Sequence, residues 1–318
     1  MVITYILFVL GIYFLIKGAD WIIDGSSSLA KKLGVSSLVI GLTIVAFGTS
    51  LPELVVNLFA AFKGSSGISF GNIIGSNIAN ILLVLGITAM VGNIKVKSET
   101  VWKQIPFALL AAFVFFALTS KIFFKGGDFL TKNDGLVLLS LFAIFLYYMF
   151  QMMKEDKKSI GFPEDSNEPD QKIVLKLVAG LIGIYIGGNW VVDGAALIAS
   201  QLGLSEYLIS ATIIAVGTSL PELVVSVIAV MKKNVDLAVG NIIGSNIFNI
   251  LWVFGIIPFI SPVEIPQFIE FDIGIMFLAT LLLFIFMFTG RRHELDKKNG
   301  VTFVLFYILY VAYVVLRG

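Results

Sequence analysis

The sequence contains no cysteine and one histidine, His293, which lies in the charged connection GRRHELDKKNG. Disulfides, thiolate chemistry and histidine-rich zinc sites are thereby excluded. Charge is scarce as well: Asp, Glu, Lys and Arg make up 14% of the 318 residues and 58% are hydrophobic, far from the balance of a water-soluble domain. The formal net charge of +1 says nothing about partners. The first apolar run has neither a basic n-region nor a small-residue cleavage site, so it is expected to be retained as a membrane segment.

What is present is hydrocarbon, with 28 phenylalanines and a mean hydropathy of +0.98. Crossing a bilayer takes about 20 apolar residues. Runs of that order stand at roughly 2–23, 38–62, 70–92, 104–120, 135–153, 173–192, 207–231, 237–260, 268–289 and 301–316, which predicts an all-α integral membrane protein with ten transmembrane helices. Lysine and arginine favour the cytoplasmic connections. An outside N-terminus places fifteen of them inside (Lys31, Lys32, Lys95, Lys97, Lys103, Lys154, Lys157, Lys158, Lys172, Lys232, Lys233, Arg291, Arg292, Lys297, Lys298) and five outside (Lys63, Lys121, Lys125, Lys132, Arg317). Both termini are therefore expected outside a cell membrane, with the 154–172 connection cytoplasmic.

The chain repeats itself. "AFGTSLPELVV" at Ala46 returns as "AVGTSLPELVV" at Ala215, an offset of 169 that holds without a gap from Gly18–Ile87 to Gly187–Ile256. "GNIIGSNIANILLVLGI" from Gly71 and "GNIIGSNIFNILWVFGI" from Gly240 agree at 14 of 17 positions. This divides the protein into a first repeat, 1–153 (helices 1–5), a linker, 154–172, and a second repeat, 173–318 (helices 6–10). Five helices per unit is an odd number, so the second copy enters the membrane from the opposite side, the inverted repeat of a transporter. The linker, "KEDKKSIGFPEDSNEPDQK", is charged and aperiodic and reads as solvated.

Each repeat carries one deeply placed acid. Glu53 is the sixteenth residue of the 25-residue run 38–62 and Glu222 the sixteenth of 207–231. At about 1.5 Å per residue each lies about 5 Å from the middle of its segment. An ionised side chain there costs about 2.5–3.5 kcal/mol on insertion scales. The bland explanation is a capping box, since Ser50-Leu51-Pro52-Glu53 and Ser219-Leu220-Pro221-Glu222 fit S-x-x-E. That accounts for a helix start but leaves the charge unneutralised, because no buried Lys or Arg is placed to meet it and Lys17 is near enough to a helix end to snorkel. A mobile cation or proton is the partner that fits. Pro52 and Pro221, with Gly48 and Gly217 before them, are expected to break helices 2 and 7 just ahead of the acids. Carbonyls around Ala46–Thr49 and Ala215–Thr218 then become candidate cation ligands, tolerated at this depth where they line a cavity, beside the hydroxyls of Thr49, Ser50, Thr218 and Ser219. Asn72, Ser76 and Asn80 share one face of the next helix, as do Asn241, Ser245 and Asn249. Ser76, Asn80, Ser245 and Asn249 are expected to face the glutamates; Asn72, Asn77, Asn241 and Asn246 serve equally well as interhelical glue, with Gly71, Gly75, Gly240 and Gly244 admitting close packing. The donor set is all oxygen, which suits Ca²⁺ and Na⁺ and not Zn²⁺ or Cu⁺, and Mg²⁺ fits less well because it sheds water reluctantly.

The paired GTSLPE and GNIIGSN motifs resemble the α-repeats of the sodium/calcium exchangers, within the cation/calcium exchanger superfamily, over essentially the whole chain. The resemblance implies alternating access at one central site, with about three Na⁺ exchanged for one Ca²⁺. It implies Glu53 and Glu222 as shared ligands, Thr49, Ser50, Thr218 and Ser219 as hydroxyl or carbonyl ligands, Ala46 and Ala215 as carbonyl donors, and Ser76, Asn80, Ser245 and Asn249 at the flanking positions. Helices 1 and 6, with "GADWIIDG" and "GGNWVVDG", are the pair expected to slide; Trp21 and Trp190 read as interface belt residues. Asparagine at both Asn80 and Asn249 looks like the potassium-independent type, and the short linker leaves no room for calcium-sensing domains. No cofactor, nucleic acid or obligatory protein partner is implied, only Na⁺, Ca²⁺ and the bilayer. The rivals are a proton/calcium or other cation exchanger, a cation channel, which lacks a filter motif here, and an intramembrane hydrolase, for which no companion to a nucleophile is placed.

Overall fold

The computed structural model describes residues 2–120, 128–160, 168–203, 215–266, 269–289 and 291–317. Helix α1 (Val2–Leu33) is followed by the bent pair α2 (Ser37–Thr49) and α3 (Leu51–Phe62), then α4 (Ser66–Val91), α5 (Thr100–Thr119) and α6 (Lys132–Ile160). After the linker come α7 (Asp170–Gln201), the short α8 (Ala215–Gly217), α9 (Leu220–Met231), α10 (Val235–Ile260), α11 (Ile269–Phe286) and α12 (Lys297–Arg317). Among the described residues eight helices are long and apolar enough to span a bilayer, and α2 with α3 makes a ninth span bent by 42°. Helices α8 and α9 are in the described part of the seventh expected span, 207–231, whose residues 207–214 lie outside the described residues.

Two helices, α4 and α10, form the buried centre, and the others turn apolar faces outward to what would be lipid. Helix α1 packs along α7 in antiparallel sense through glycines: a Cβ on Gly18 would meet the Gly180 carbonyl at 2.7 Å, and one on Gly11 would meet the Gly187 carbonyl at 2.8 Å. Moving each residue by 169 turns the contact 11–187 into 180–18. The seam is thus its own image under a two-fold axis perpendicular to the helices. Each of these helices has 32 residues, about 48 Å at 1.5 Å per residue. That exceeds the roughly 30 Å of bilayer hydrocarbon, so both tilt or project from it.

Two short antiparallel ribbons join the repeats at opposite faces. Strands β1 (Ile94–Lys95) and β4 (Glu294–Leu295) pair at the face that carries the linker, and β2 (Phe129–Leu130) and β3 (Val263–Glu264) at the other. They exchange under the same two-fold relation. At the linker face Glu168 accepts from Ser28 Oγ at 2.7 Å and pairs with Lys176 at 2.6 Å, and these contacts, Lys176 first, hold its carboxyl down at about 2. The helices reach further into the connection than the apolar runs do, to Ile160 and from Asp170. The run Lys154–Lys158 is rich in good helix formers, and Pro169 caps α7.

At the opposite face Arg317 holds α12 to α11, with Nη2 2.8 Å from Asp272 Oδ2. The Asp272 side chain is only 5% exposed. Arg317→Leu would strand that carboxylate and is expected to destabilise the protein by about 3 kcal/mol, the lower end for a broken buried pair because the arginine is partly solvated. Thermal unfolding in detergent checks this: Asp272→Asn in the Arg317→Leu background should recover most of the loss, and an unchanged melting temperature in the single variant would contradict it.

Candidate cation site

The break in the first repeat comes at Ser50, between α2 and α3, with φ −86° and ψ 3°. Pro52, at the start of α3, has no N–H for the Gly48 carbonyl and cannot continue the ladder. The Ser50 hydroxyl makes no capping bond and is buried without a partner, so the S-x-x-E pattern is not a capping box here. Ser219 makes no capping bond either. The Ala46 carbonyl still accepts the Ser50 N–H at 3.0 Å, since the helix gives way after that bond and not before it, and the Thr49 hydroxyl approaches the same oxygen at 3.4 Å. Ala215 opens α8 in the second repeat.

Glu53 and Glu222 are both fully buried. Ser76 Oγ on α4 donates to Glu53 Oε1 at 2.8 Å and lies 3.0 Å from Ser219 Oγ of the other repeat. Ser245 Oγ on α10 donates to Glu222 Oε1 at 3.3 Å and lies 3.3 Å from Thr49 Oγ1. Each glutamate is thus tied by the serine of its own repeat to a hydroxyl in the opposite repeat's signature. Thr49 donates to Asn241 Oδ1 at 3.0 Å, and its two-fold counterpart joins Asn72 Nδ2 to Thr218 Oγ1 at 3.4 Å.

Hydrogen bonding leaves several buried atoms over, most of them in the two signature motifs. Glu53 Oε2, Glu222 Oε2, Ser50 Oγ, Asn80 Oδ1 and both polar atoms of Asn249 are buried without a partner. Buried polar atoms are ordinarily satisfied, so unsatisfied ones on both glutamates and on residues of both signature motifs, mostly oxygen acceptors, are what a desolvated cation would complete. Asn80 begins a π-helical turn, Asn80–Val84, and Asn249 lies in the matching turn Phe248–Val253. Such turns put one extra residue into the helix and re-aim the side chains around it. Asn80 Nδ2 donates to Asn246 Oδ1 at 3.0 Å, while Asn77 Nδ2 returns to the Ile73 carbonyl of its own helix at 2.9 Å. Asn246, whose Nδ2 also donates to the Asn77 carbonyl at 3.2 Å, therefore works as α4–α10 glue, the Asn77 side chain stays on its own helix with Oδ1 buried and unpartnered, and Asn72 and Asn241 brace Thr218 and Thr49.

Sequence reasoning passed over Asn57, Ser69 and Ser226. Asn57 Nδ2 donates to the Glu53 carbonyl at 2.8 Å and to Asn72 Oδ1 at 2.9 Å, and Ser69 donates to Asn57 Oδ1 at 2.6 Å. Ser226 Oγ receives Asn241 Nδ2 at 3.2 Å. The signal was available: both Asn57 and Ser226 stand four residues after a glutamate, on its own helix face, in otherwise oily stretches.

The two ends of the site are not alike. Helix α1 packs closely on α9 towards the linker face, through Ile22, Ile23, Val225 and Ala229, whereas among the described residues α7 makes little contact with α3 at the other end. Thr49 and Asn241 are fully enclosed, while Thr218 and Asn72 are only half-buried. Gly71 is exposed where its counterpart Gly240 is buried. Trp190 packs edge-on to Phe14 in the α1–α7 pair, 5.7 Å between centroids. Among the described residues no group of three or more His, Cys, Asp and Glu side chains could hold a metal ion, so the charge at this site is that of the two glutamates.

Comparison with known proteins bears on what such a site handles. The family described as "Sodium/calcium exchanger protein" matches residues 3–151 and 172–316. The chain is 37% identical to the putative antiporter CaxA of Alkalimonas amylolytica, covering 98% of each chain, and 30% identical to the sodium/calcium exchanger MaX1 of Methanosarcina acetivorans, covering 97% of each. A more distant relative is the Ca²⁺/H⁺ antiporter ChaA of Bacillus subtilis, 26% identical over 76% of this chain and 70% of that one. Among solved structures, the sodium-calcium exchanger NCX_Mj soaked with zero Na⁺ and Ca²⁺ superposes with a TM-score of 0.82 at 34% identity, covering 99% of this chain and all of that one.

Proposed function

We propose, from the premise that this chain belongs to the sodium/calcium exchanger family of multi-pass membrane antiporters, that Glu53 and Glu222 form one shared site that carries Ca²⁺ one way and Na⁺ the other. The observation that carries the proposal is that two fully buried carboxylates are linked through hydroxyls across the contact between the repeats and each keeps one oxygen without a partner. Two ionised glutamates give −2, which one Ca²⁺ brings to zero; about three Na⁺ would bring it to +1, so exchange moves net charge during alternating access. Ca²⁺ takes six to eight oxygens in a flexible cage. Glu53 and Glu222 supply the charge, and Ser50, Ser76, Thr49, Thr218, Ser219, Ser245, Asn80, Asn249 and the carbonyls of Ala46 and Ala215 the neutral oxygens. A full load of either kind shields the carboxylates and permits the site to change sides, whereas a half-filled site stays put because carrying a bare charge through hydrocarbon is costly. Unequal packing at the two ends supports access from the face opposite the linker, which the lysine and arginine distribution makes the outer one.

The test is uptake of labelled Ca²⁺ into proteoliposomes. A Na⁺ gradient at clamped pH should drive uptake, that uptake should respond to membrane potential, and adding K⁺ should leave it unchanged, as the asparagines at Asn80 and Asn249 suggest. Uptake driven by a pH gradient alone would replace Na⁺ with protons as the counter-ion, the reading to which the Ca²⁺/H⁺ relative lends support. Equilibration of Ca²⁺ with no counter-ion at all would overturn exchange.

A further inference from the structure

At the linker face, the turn between α9 and α10 is pinned to α1. Lys232 Nζ lies 3.0 Å from Asp20 Oδ1 and donates to Asp24 Oδ1 at 2.9 Å, and Asn234 Nδ2 donates to Ser27 Oγ at 3.1 Å. These contacts cap the apolar closure of α1 on α9 described above.

The other face has the same parts, unassembled. An offset of 169 places Lys63 opposite Lys232, Asp193 on α7 opposite Asp24, and Asn189 opposite Asp20. The two turns are built alike. The N–H groups of Lys63, Gly64 and Ser65 bond to the carbonyls of Phe59, Ala61 and Ala60 at 3.1, 3.2 and 2.8 Å, and those of Lys232, Lys233 and Asn234 to Ile228, Val230 and Ala229 at 2.9, 2.9 and 2.8 Å. The middle residue is left-handed in both, with φ +68° at Gly64 and +62° at Lys233. A lysine presented by the same turn thus faces, in principle, the same position of the partner helix. Yet Lys63 and Asp193 are exposed, and among the described residues neither side chain makes a hydrogen bond or an ion pair.

We propose that Lys232–Asp24 and Lys63–Asp193 are two positions of one ion-pair latch: the first holds the linker face shut, and the second forms at the opposite face as the first breaks, when α1 and α7 shift against the rest. The inference rests on the alternating-access reading above and adds the residues that hold each closed end. Both pairs stand in solvent, where such an interaction is weak. Weakness suits a contact that must release in every cycle, because a two-state balance moves only by the difference in interaction between the states. The latch is also unequal. Lys232 has two carboxylates and Lys63 would have one carboxylate and the Asn189 amide, so the arrangement favours closure at the linker face, the closure present in this structure.

The natural absence of cysteine makes the test direct. Two double variants, Asp24→Cys with Lys232→Cys and Lys63→Cys with Asp193→Cys, are reconstituted and treated with a bifunctional thiol reagent of side-chain length. Reduced, both should exchange Na⁺ for Ca²⁺. Bridging either pair should stop exchange, and cleaving the bridge should restore it. Bridging at 63–193 should speed up when ions on both sides permit turnover, while bridging at 24–232 slows. Adding Asn189→Asp to the first variant, which keeps Lys63 and Asp193, gives Lys63 a second carboxylate and should lower the cross-linking of 24–232 by a few-fold. A 63–193 variant that exchanges when reduced but never bridges, or that exchanges as well when bridged, overturns the latch. Ion-dependent bridging at both pairs in a protein that moves Ca²⁺ without Na⁺ would keep the latch and overturn the assignment of the counter-ion.

Discussion

Glu53→Gln and Glu222→Gln are each expected to reduce Na⁺-driven Ca²⁺ flux by more than about 100-fold, since replacing even an indirect partner of a metal commonly costs 10–100-fold in affinity. Glutamine keeps the shape of the side chain and an oxygen to receive Ser76 or Ser245, so what is lost is charge. With one carboxylate remaining, Ca²⁺ leaves the site at +1, and the balance that lets a loaded carrier cross is gone. Protein stability separates this cause from misfolding. Removing a buried charge should raise the melting temperature without ions, because the cost of holding that charge in hydrocarbon disappears. The same variants should lose the stabilisation that Ca²⁺ gives the native protein through binding to the folded state. Either variant transporting at the native rate, or still stabilised by Ca²⁺, would remove the shared site.

Much of that site could be read in the chain because chemistry and environment conflicted there. A glutamate next to a proline in an oily run has few explanations, and finding it twice at a fixed offset leaves fewer. The companions on α4 and α10 were legible through helical periodicity. Legibility ended where partners come from across the interface: that Ser76 reaches Ser219 and Thr49 reaches Asn241 depends on how two inverted units meet, and no local pattern encodes that. Asn57 and Ser226 were hidden by their ordinariness, single polar residues that become braces only once the glutamate carbonyl and α4 or α10 are beside them. The break was placed correctly near Pro52, but the fate of the Ala46 carbonyl was not, because proline removes one donor and leaves earlier bonds intact. The ends of α6 and α7 escaped a reading based on hydropathy, since charged residues extend a helix past the membrane without any apolar signal.

The second large effect is expected at the α1–α7 seam. Gly180→Val and Gly18→Val should each abolish correctly assembled protein, seen as loss of the monodisperse peak in detergent. A Cβ at Gly180 would lie 2.7 Å from Ile22 Cγ1 and 2.8 Å from the Gly18 carbonyl, and a backbone oxygen cannot swing aside as a side chain can. Overpacking in a closed interior typically costs about 1–3 kcal/mol, and here the obstacle is the backbone of the facing helix, so α1 and α7 must separate at that crossing. Gly25→Ala is the control. Its neighbours are the Leu177 and Lys176 side chains at 3.1 Å or more, which can yield by a few tenths of an ångström. Assembly of Gly180→Val at the native level would show that α1 and α7 do not depend on backbone contact, and equal damage from Gly25→Ala would show that the seam's tightness is not confined to its symmetric centre.

The pairing of β1 with β4 and β2 with β3, together with that seam, means that the halves are tied through their own surfaces and that these ties recur under the two-fold relation. Peptide-bond continuity through 154–172 is then a matter of delivery and not of cohesion. Two half-length polypeptides, translated separately and inserted with opposite senses, carry all that is required to find one another and rebuild a carrier.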